Sequence, residues 1–180
     1  MSGSVVNVGS EHTIKYDIEN LKKYPDVISE GEEVVITEKL HGTFCMIGYN
    51  YNLDTKNNMF IASKGLGGQG LVFKLDDENK QKNVYVRIAE ELELFDKISR
   101  FIQKDNVVKK LIICGEVFGK GVQNLHYGLQ KPTFRAFDIY VDNGFIDAKM
   151  KYQLFNEIGV DYVPILYDGR YSRQDYIGLS

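Results

Sequence analysis

The chain has no apolar run approaching the roughly 20 residues that a membrane-crossing helix needs, so a helical membrane protein is excluded. Its opening residues, Met1 to Val8, carry neither the cationic start nor the apolar stretch of a secretory signal, and a cytoplasmic location is expected. Cysteine is scarce. Cys45 and Cys114 each sit inside an apolar run without CxxC spacing, which argues against a zinc site and predicts two buried, reduced thiols. Basic excess is also lacking: 22 lysines and arginines face 25 acids, a net charge of −3. A protein that coats nucleic acid through bulk charge is thereby disfavoured, and any contact with nucleic acid is expected to use a local patch, a bound cation or sequence outside this chain. Nor is there an internal repeat, a low-complexity tract or a Pro/Gly linker, so residues 1–180 are expected to form one domain.

What the chain does have is ordinary globular content, 43% hydrophobic and 26% charged residues. Val34 to Lys39 is a β-branched run ending in a charged pair, which predicts a strand that delivers side chains to a site. A second strand is predicted from Thr43 to about Tyr51, a turn from Leu53 to Asn58, and a third strand from Met59 to Ser63. Gly65, Gly67, Gly68 and Gly70 predict a flexible loop. Val84, Ile88, Leu92, Phe95, Ile98 and Ile102 recur in steps of three and four and predict one helix with a buried face. Leu111 to Val117 and Thr133 to Val141 read as core strands, Ala148 to Ile158 as a helix, and Tyr162 to Leu166 as a short strand before a polar tail. The mixture predicts an α+β fold, mainly antiparallel sheets with flanking helices.

Three segments can carry chemistry. In Glu38-Lys39-Leu40-His41-Gly42-Thr43, a lysine at a strand end before a glycine turn points its amine towards a cleft. A lysine that attacks phosphorus must be deprotonated, whereas its free pKa is about 10.4, so desolvation or neighbouring charge has to assist. In Gly115-Glu116-Val117-Phe118-Gly119, an acid at the end of an apolar strand is placed to bind ribose hydroxyls or a metal. In Phe134-Arg135-Ala136-Phe137-Asp138-Ile139-Tyr140, strand alternation predicts Arg135, Phe137 and Ile139 on one face and Phe134, Ala136 and Asp138 on the other. Phe137 can then stack on a purine. Taken singly, each segment is also what an exposed strand end, a solvated glutamate or a plain core phenylalanine would give.

Together the segments resemble the covalent nucleotidyltransferases, the superfamily of DNA ligases, RNA ligases and mRNA capping enzymes. Lys39-Leu40-His41-Gly42 is similar to its motif I (Lys-x-Asp-Gly or a close variant), and Ser63-Lys64 falls where motif Ia lies. Gly115-Glu116, trailed by Gly119, Gly121, Gln123 and Tyr127-Gly128, resembles motif III, and Ala136-Phe137-Asp138-Ile139 resembles motif IIIa. Histidine at position 41 points to the RNA ligase branch that contains the phage nick-sealing enzyme. The resemblance implies a ligase-type, ATP-grasp-like domain that takes ATP and Mg²⁺ and acts on RNA ends. Lys39 would take AMP as a phosphoamide, and His41 would orient the triphosphate or stabilise the departing pyrophosphate. Glu38 would contact adenine through its backbone, and Gly42 would line the nucleotide site. Lys64, where much of the family has arginine, would lie near the ribose or the acceptor phosphate. Glu116 would bind ribose or metal, and Phe137 would sandwich adenine.

Two further family motifs, a Glu-Gly followed by an apolar residue and a Lys-x-Lys pair, have no counterpart past Tyr152, where the basic residues are Arg170 and Arg173. An incomplete catalytic domain that seals RNA poorly by itself is therefore expected, most simply as a monomer. The other readings are a DNA ligase or guanylyltransferase, which His41 disfavours, a non-catalytic nucleotide- or RNA-binding remnant, and an unrelated α+β domain.

Overall fold

A computed structural model describes residues 3–120 and 131–176. Motif III's trailing residues Gly121, Gln123, Tyr127 and Gly128 lie outside the described residues. The chain runs β1 (Val5–Asn7), β2 (Glu33–Thr37), β3 (Thr43–Asn50), β4 (Met59–Ser63), α1 (Lys64–Gly68) and β5 (Leu71–Phe73). It continues with α2 (Asp77–Lys82), α3 (Val84–Glu91), α4 (Leu94–Lys104), β6 (Lys110–Phe118), β7 (Thr133–Val141) and β8 (Gly144–Phe145). Last come α5 (Ala148–Ile158), β9 (Ile165–Arg170) and α6 (Arg173–Tyr176). The class is α+β, with an antiparallel five-stranded sheet in the order β4-β3-β6-β7-β8 and two two-stranded sheets, β1-β5 and β2-β9.

Period-two alternation gives the central sheet two unlike faces. Cys45, Ile47, Met59, Ile61, Leu111, Ile113 and Val117 point to one side, where Ile88 and Ala89 of α3, Ile98 of α4 and Phe155 of α5 cover them. Met46, Phe60, Ala62, Ile112 and Cys114 point to the other side and pack under Tyr16 and Val72. Both cysteines are buried and unpaired.

Four readings of the sequence need correction. The glycine-rich stretch is not a loop: Lys64–Gly68 forms a short helix, its Leu66 amide facing the capping Ser63 hydroxyl at 3.5 Å. Gly67 suits that turn because a Cβ there would collide with the Met46 sulfur. The single helix expected over Val84 to Ile102 is two, separated by Glu93 in the left-handed region (φ +53°). The apolar spacing runs through the break undisturbed, so it does not reveal it. The last strand begins at Ile165 and runs to Arg170; Tyr162 instead bridges Ala136 in parallel. The expected polar tail holds α6. β1 and β5 carried no signal that the sequence reading used.

Helix α5 shows why local signals serve well where they are complete. Asp147 caps it by accepting the Met150 amide at 3.1 Å, and Gly159 ends it in the left-handed conformation (φ +85°).

Candidate active site

The site lies on the face of the sheet away from α3 and α4, and a β-bulge shapes it. Cys114 stands opposite Asp138 but Gly115 opposite Ala136, so Phe137 has no partner on β6. The strand therefore changes phase. Phe134, Ala136 and Ile139 all join the helix-covered core, while Phe137 lies in the other cluster. This corrects the alternation read from the sequence, which put Ile139 with Phe137 and Asp138 with Phe134. The extra residue turns Phe137 and Asp138 together towards the cleft, and both line it.

Strand β6 supplies the acid. Alternation puts Glu116 on the same face as Cys114 and Ile112, at the end of the strand. Its Oε1 accepts the Gly42 amide at 3.0 Å, which ties the lysine turn to the strand. Gly42 is required by close approach: a Cβ there would collide with the Val117 carbonyl. Burial pushes the Glu116 carboxyl above its ordinary range, while the Gly42 amide and the charges of Lys39 and His41 draw it back.

The lysine turn is held from a second side. The Ala136 amide donates to the Asp161 carbonyl at 2.8 Å, and the Val163 amide donates to the Ala136 carbonyl at 2.9 Å. One residue later, the Glu38 amide donates to the Pro164 carbonyl at 2.9 Å. Strand β7, the 161–164 segment and residue 38 are thus stitched in series, and Lys39 follows just beyond β2. The expected strand to Lys39 stops at Thr37; the two charged residues sit in the turn.

The resulting cleft encloses about 550 Å³ and is lined by Glu38, Lys39, Lys64, Glu116 and Phe137, together with Tyr16, Phe44, Asp138 and Lys151. Lys39 and Lys64 are exposed side chains, as is His41, which is not among the lining residues. The expected site residues other than His41 and Gly42 therefore share one hollow; those two stand on its rim beside Glu116. Phe137 packs on Tyr16 at 5.7 Å and Phe44 at 5.9 Å between ring centres.

Two features went unrecognised in the sequence. Lys151, on α5, lies 3.8 Å from Asp138, and the Tyr16 hydroxyl donates to the other oxygen of Asp138 at 3.1 Å. Burial raises the Asp138 carboxyl, and Lys151 opposes that rise. A signal for Lys151 existed: it shares the buried stripe of α5 with Phe155 and Ile158, where a lysine is out of place. Tyr16 had none, because it reaches Asp138 from the other end of the chain. Among the described residues no cluster of three or more His, Cys, Asp or Glu side chains could hold a metal. The carboxylates lining the cleft are Glu38, Glu116 and Asp138, which suits a hydrated ion held by one or two carboxylates and by phosphate.

A family model described as RNA ligase matches residues 32–177, from just before β2 to just past α6. The chain belongs to the RNA ligase family. Solved structures of an RNA ligase from Naegleria gruberi share the fold of this family member. An apo mutant superposes with a TM-score of 0.74 at 18% identity, covering 99% of this chain and 50% of that one. A mutant with AMP and Mn gives 0.75 at 18% identity, covering 99% and 51%, and a mutant with ATP and Mn gives 0.72 at 18%, again covering 99% and 51%. The chain thus spans about half the length of that ligase. Among curated proteins no sequence matches it significantly.

Proposed function

We propose that this chain carries the adenylylating half of an ATP-dependent RNA ligase, with Lys39 as the nucleophile. One observation supports the reading most: Lys39, Glu116 and Phe137, from three segments far apart in the sequence, line one cleft in a member of the RNA ligase family. The Naegleria ligase structures described with ATP, AMP and Mn support the choice of nucleotide and of a divalent cation.

In this reading the Lys39 amine, once it has lost a proton, attacks the α-phosphorus of ATP. A P–N bond forms, the α–β phosphoanhydride P–O bond breaks, and pyrophosphate leaves. An RNA 5′-phosphate oxygen then takes AMP from the lysine, and a 3′-hydroxyl attacks the activated phosphate and releases AMP. Lys39, Lys64 and Lys151 face Glu38, Glu116 and Asp138 around the cleft, so the lining brings no net positive charge to a polyphosphate. A bound Mg²⁺ supplies that charge compensation. Glu116 and Asp138 are the carboxylates that would hold the ion or the ribose. Phe137 and Phe44 offer the apolar surface for adenine, the Glu38 backbone its polar edge, and Gly42 room for the phosphates. His41, on the rim, orients the triphosphate, and Lys64 takes an acceptor phosphate.

Incubation with α-labelled ATP and Mg²⁺, followed by denaturing electrophoresis, tests this. The expected result is covalent label on the wild-type chain and its loss in Lys39→Ala. Label retained in Lys39→Ala, or reversible ATP binding with no label at all, would overturn the assignment. Excess GTP removing the label better than excess ATP would reassign the chain to capping chemistry. Sealing by these 180 residues is expected to be weak, because they span about half the length of the Naegleria ligase.

A further inference from the structure

The cleft face of the sheet continues past the cleft. Lys110, Ile112, Cys114 and Glu116 alternate onto it along β6, which puts Lys110 roughly 20 Å from Glu116 at about 3.3 Å per residue. Strand register carries the same face sideways, with Ile112 opposite Tyr140 and Tyr140 opposite Phe145. Aromatic rings connect the two ends. The cleft-lining Tyr16 meets Phe145 edge-on at 5.7 Å, and Phe145 meets Tyr140 edge-on at 5.3 Å. Phe145 is 47% exposed, on a two-residue edge strand.

At the far end stand two cation–ring pairs. The Lys110 ammonium lies 5.5 Å from the Tyr140 ring, and the Lys109 ammonium lies 5.4 Å from the ring of Tyr51, which is 52% exposed. All four residues border one hollow of about 640 Å³. Lys110 is fixed there by donating to the carbonyls of Glu11 at 3.2 Å and Thr13 at 3.0 Å. The neighbouring acids are engaged: Asp142 accepts the amides of Lys109 and Lys110, and Glu11 faces His12 at 3.4 Å.

Exposed rings alternating with fixed cations recognise unpaired bases joined by phosphates, since any base can stack on a ring and each phosphate needs a cation. A duplex hides its base faces and cannot use such rings. We propose that this face is a track for single-stranded RNA, on the order of four nucleotides long, running from the Tyr51–Lys109 hollow over Tyr140 and Phe145 into the cleft. The direction of the strand towards Lys39 rests on the ligase reading; the track itself rests on the rings and lysines.

The test measures the affinity of the whole chain for a fluorescent, 5′-phosphorylated single-stranded RNA of about ten nucleotides, alongside covalent labelling by ATP. Tyr51→Ala and Phe145→Ala should each weaken RNA binding about tenfold and leave labelling unchanged, and Phe145→Trp should restore binding. Wild-type affinity in both alanine variants overturns the track, as does failure of the wild type to bind RNA. If Phe145→Ala loses label and RNA affinity together, the ring merely props Tyr16 and the track is again overturned. Tighter binding to a duplex of the same length does so too. A wild type that binds RNA through Tyr51 and Phe145 but takes no label overturns the ligase reading alone.

Discussion

The two faces of the central sheet are built from the same strands by the same alternation, yet they do opposite work. The helix-covered face holds side chains such as Ile98, Ile113 and Phe155, all fully buried, and among the described residues no charged side chain is buried there. The cleft face packs a smaller apolar cluster and then gives way to Glu116, Asp138 and Lys151 at its open end. Apolar burial at about 25 cal/mol per Å² stabilises the first, whereas the second holds two carboxylates where burial raises their pKa. Stability and chemistry are thus separated by a single β-sheet, about 10 Å from the next packed layer on each side.

A matched pair of phenylalanine deletions sharpens the contrast most strongly. Phe155→Ala removes a fully buried ring and should cost about 3–5 kcal/mol in denaturant unfolding. Phe137→Ala removes a half-buried ring at the bulge and should cost about 1–2 kcal/mol, because part of its surface already meets water. Labelling by ATP should respond in the reverse order per unit of stability lost, falling at least tenfold in Phe137→Ala under conditions where both variants are folded. Equal unfolding costs would show that the cleft face is as much a core as the helix face.

Much of the separation was legible in the chain, but only where the determining signal was local. Strands Met59–Ser63 and Thr133–Val141 and helix Ala148–Ile158 have the bounds expected from apolar patterning and end signals. Lys39 and Glu116 were singled out because each ends such an element, and Phe137 because alternation sets it apart from neighbours that pack the core. The bulge was not legible, since an unopposed residue is defined by the partner strand, and so Asp138 was given the wrong face. Glu93 broke the long helix without a glycine or proline to mark it. Tyr16 meets Asp138 across 122 positions of sequence, a separation that no window of residues can see.

The buried acids give the next test, smaller than the Phe155 loss and opposite in sign. The folded-state pKa of Glu116 is raised, so its contribution to stability is fully present below the ordinary carboxylate pKa and is lost as pH rises through the raised value. Glu116→Gln keeps an acceptor for the Gly42 amide but cannot ionise. Its melting temperature should therefore exceed that of the wild type at neutral pH, and the two curves should converge below about pH 4. Labelling by ATP should be lost throughout. A lower melting temperature for the variant at neutral pH would mean that the ionised carboxylate stabilises the fold, and the contrast between the faces would fail.

The smallest effect concerns an ion pair that looks better than the one in the cleft. Lys82 lies 2.9 Å from Glu78 on α2, with both side chains more than half exposed, whereas the cleft pair of Lys151 and Asp138 is longer at 3.8 Å but mostly buried. Distance alone would rank the surface pair first. What decides the ranking is the fate of the partner when the lysine is removed: Glu78 returns to water, while Asp138 stays mostly buried with the Tyr16 hydroxyl and the Ile139 amide but no cation. The Glu–Lys order at i, i+4 is the favourable one, so Lys82→Ala should cost about 0.3–0.5 kcal/mol at low salt. In 1 M salt, with a Debye length of about 3 Å, that cost should vanish. Chemical denaturation with urea, which leaves ionic strength unchanged, measures both values. A larger cost that persists in salt would mean that α2 depends on Lys82 through packing of its alkyl chain.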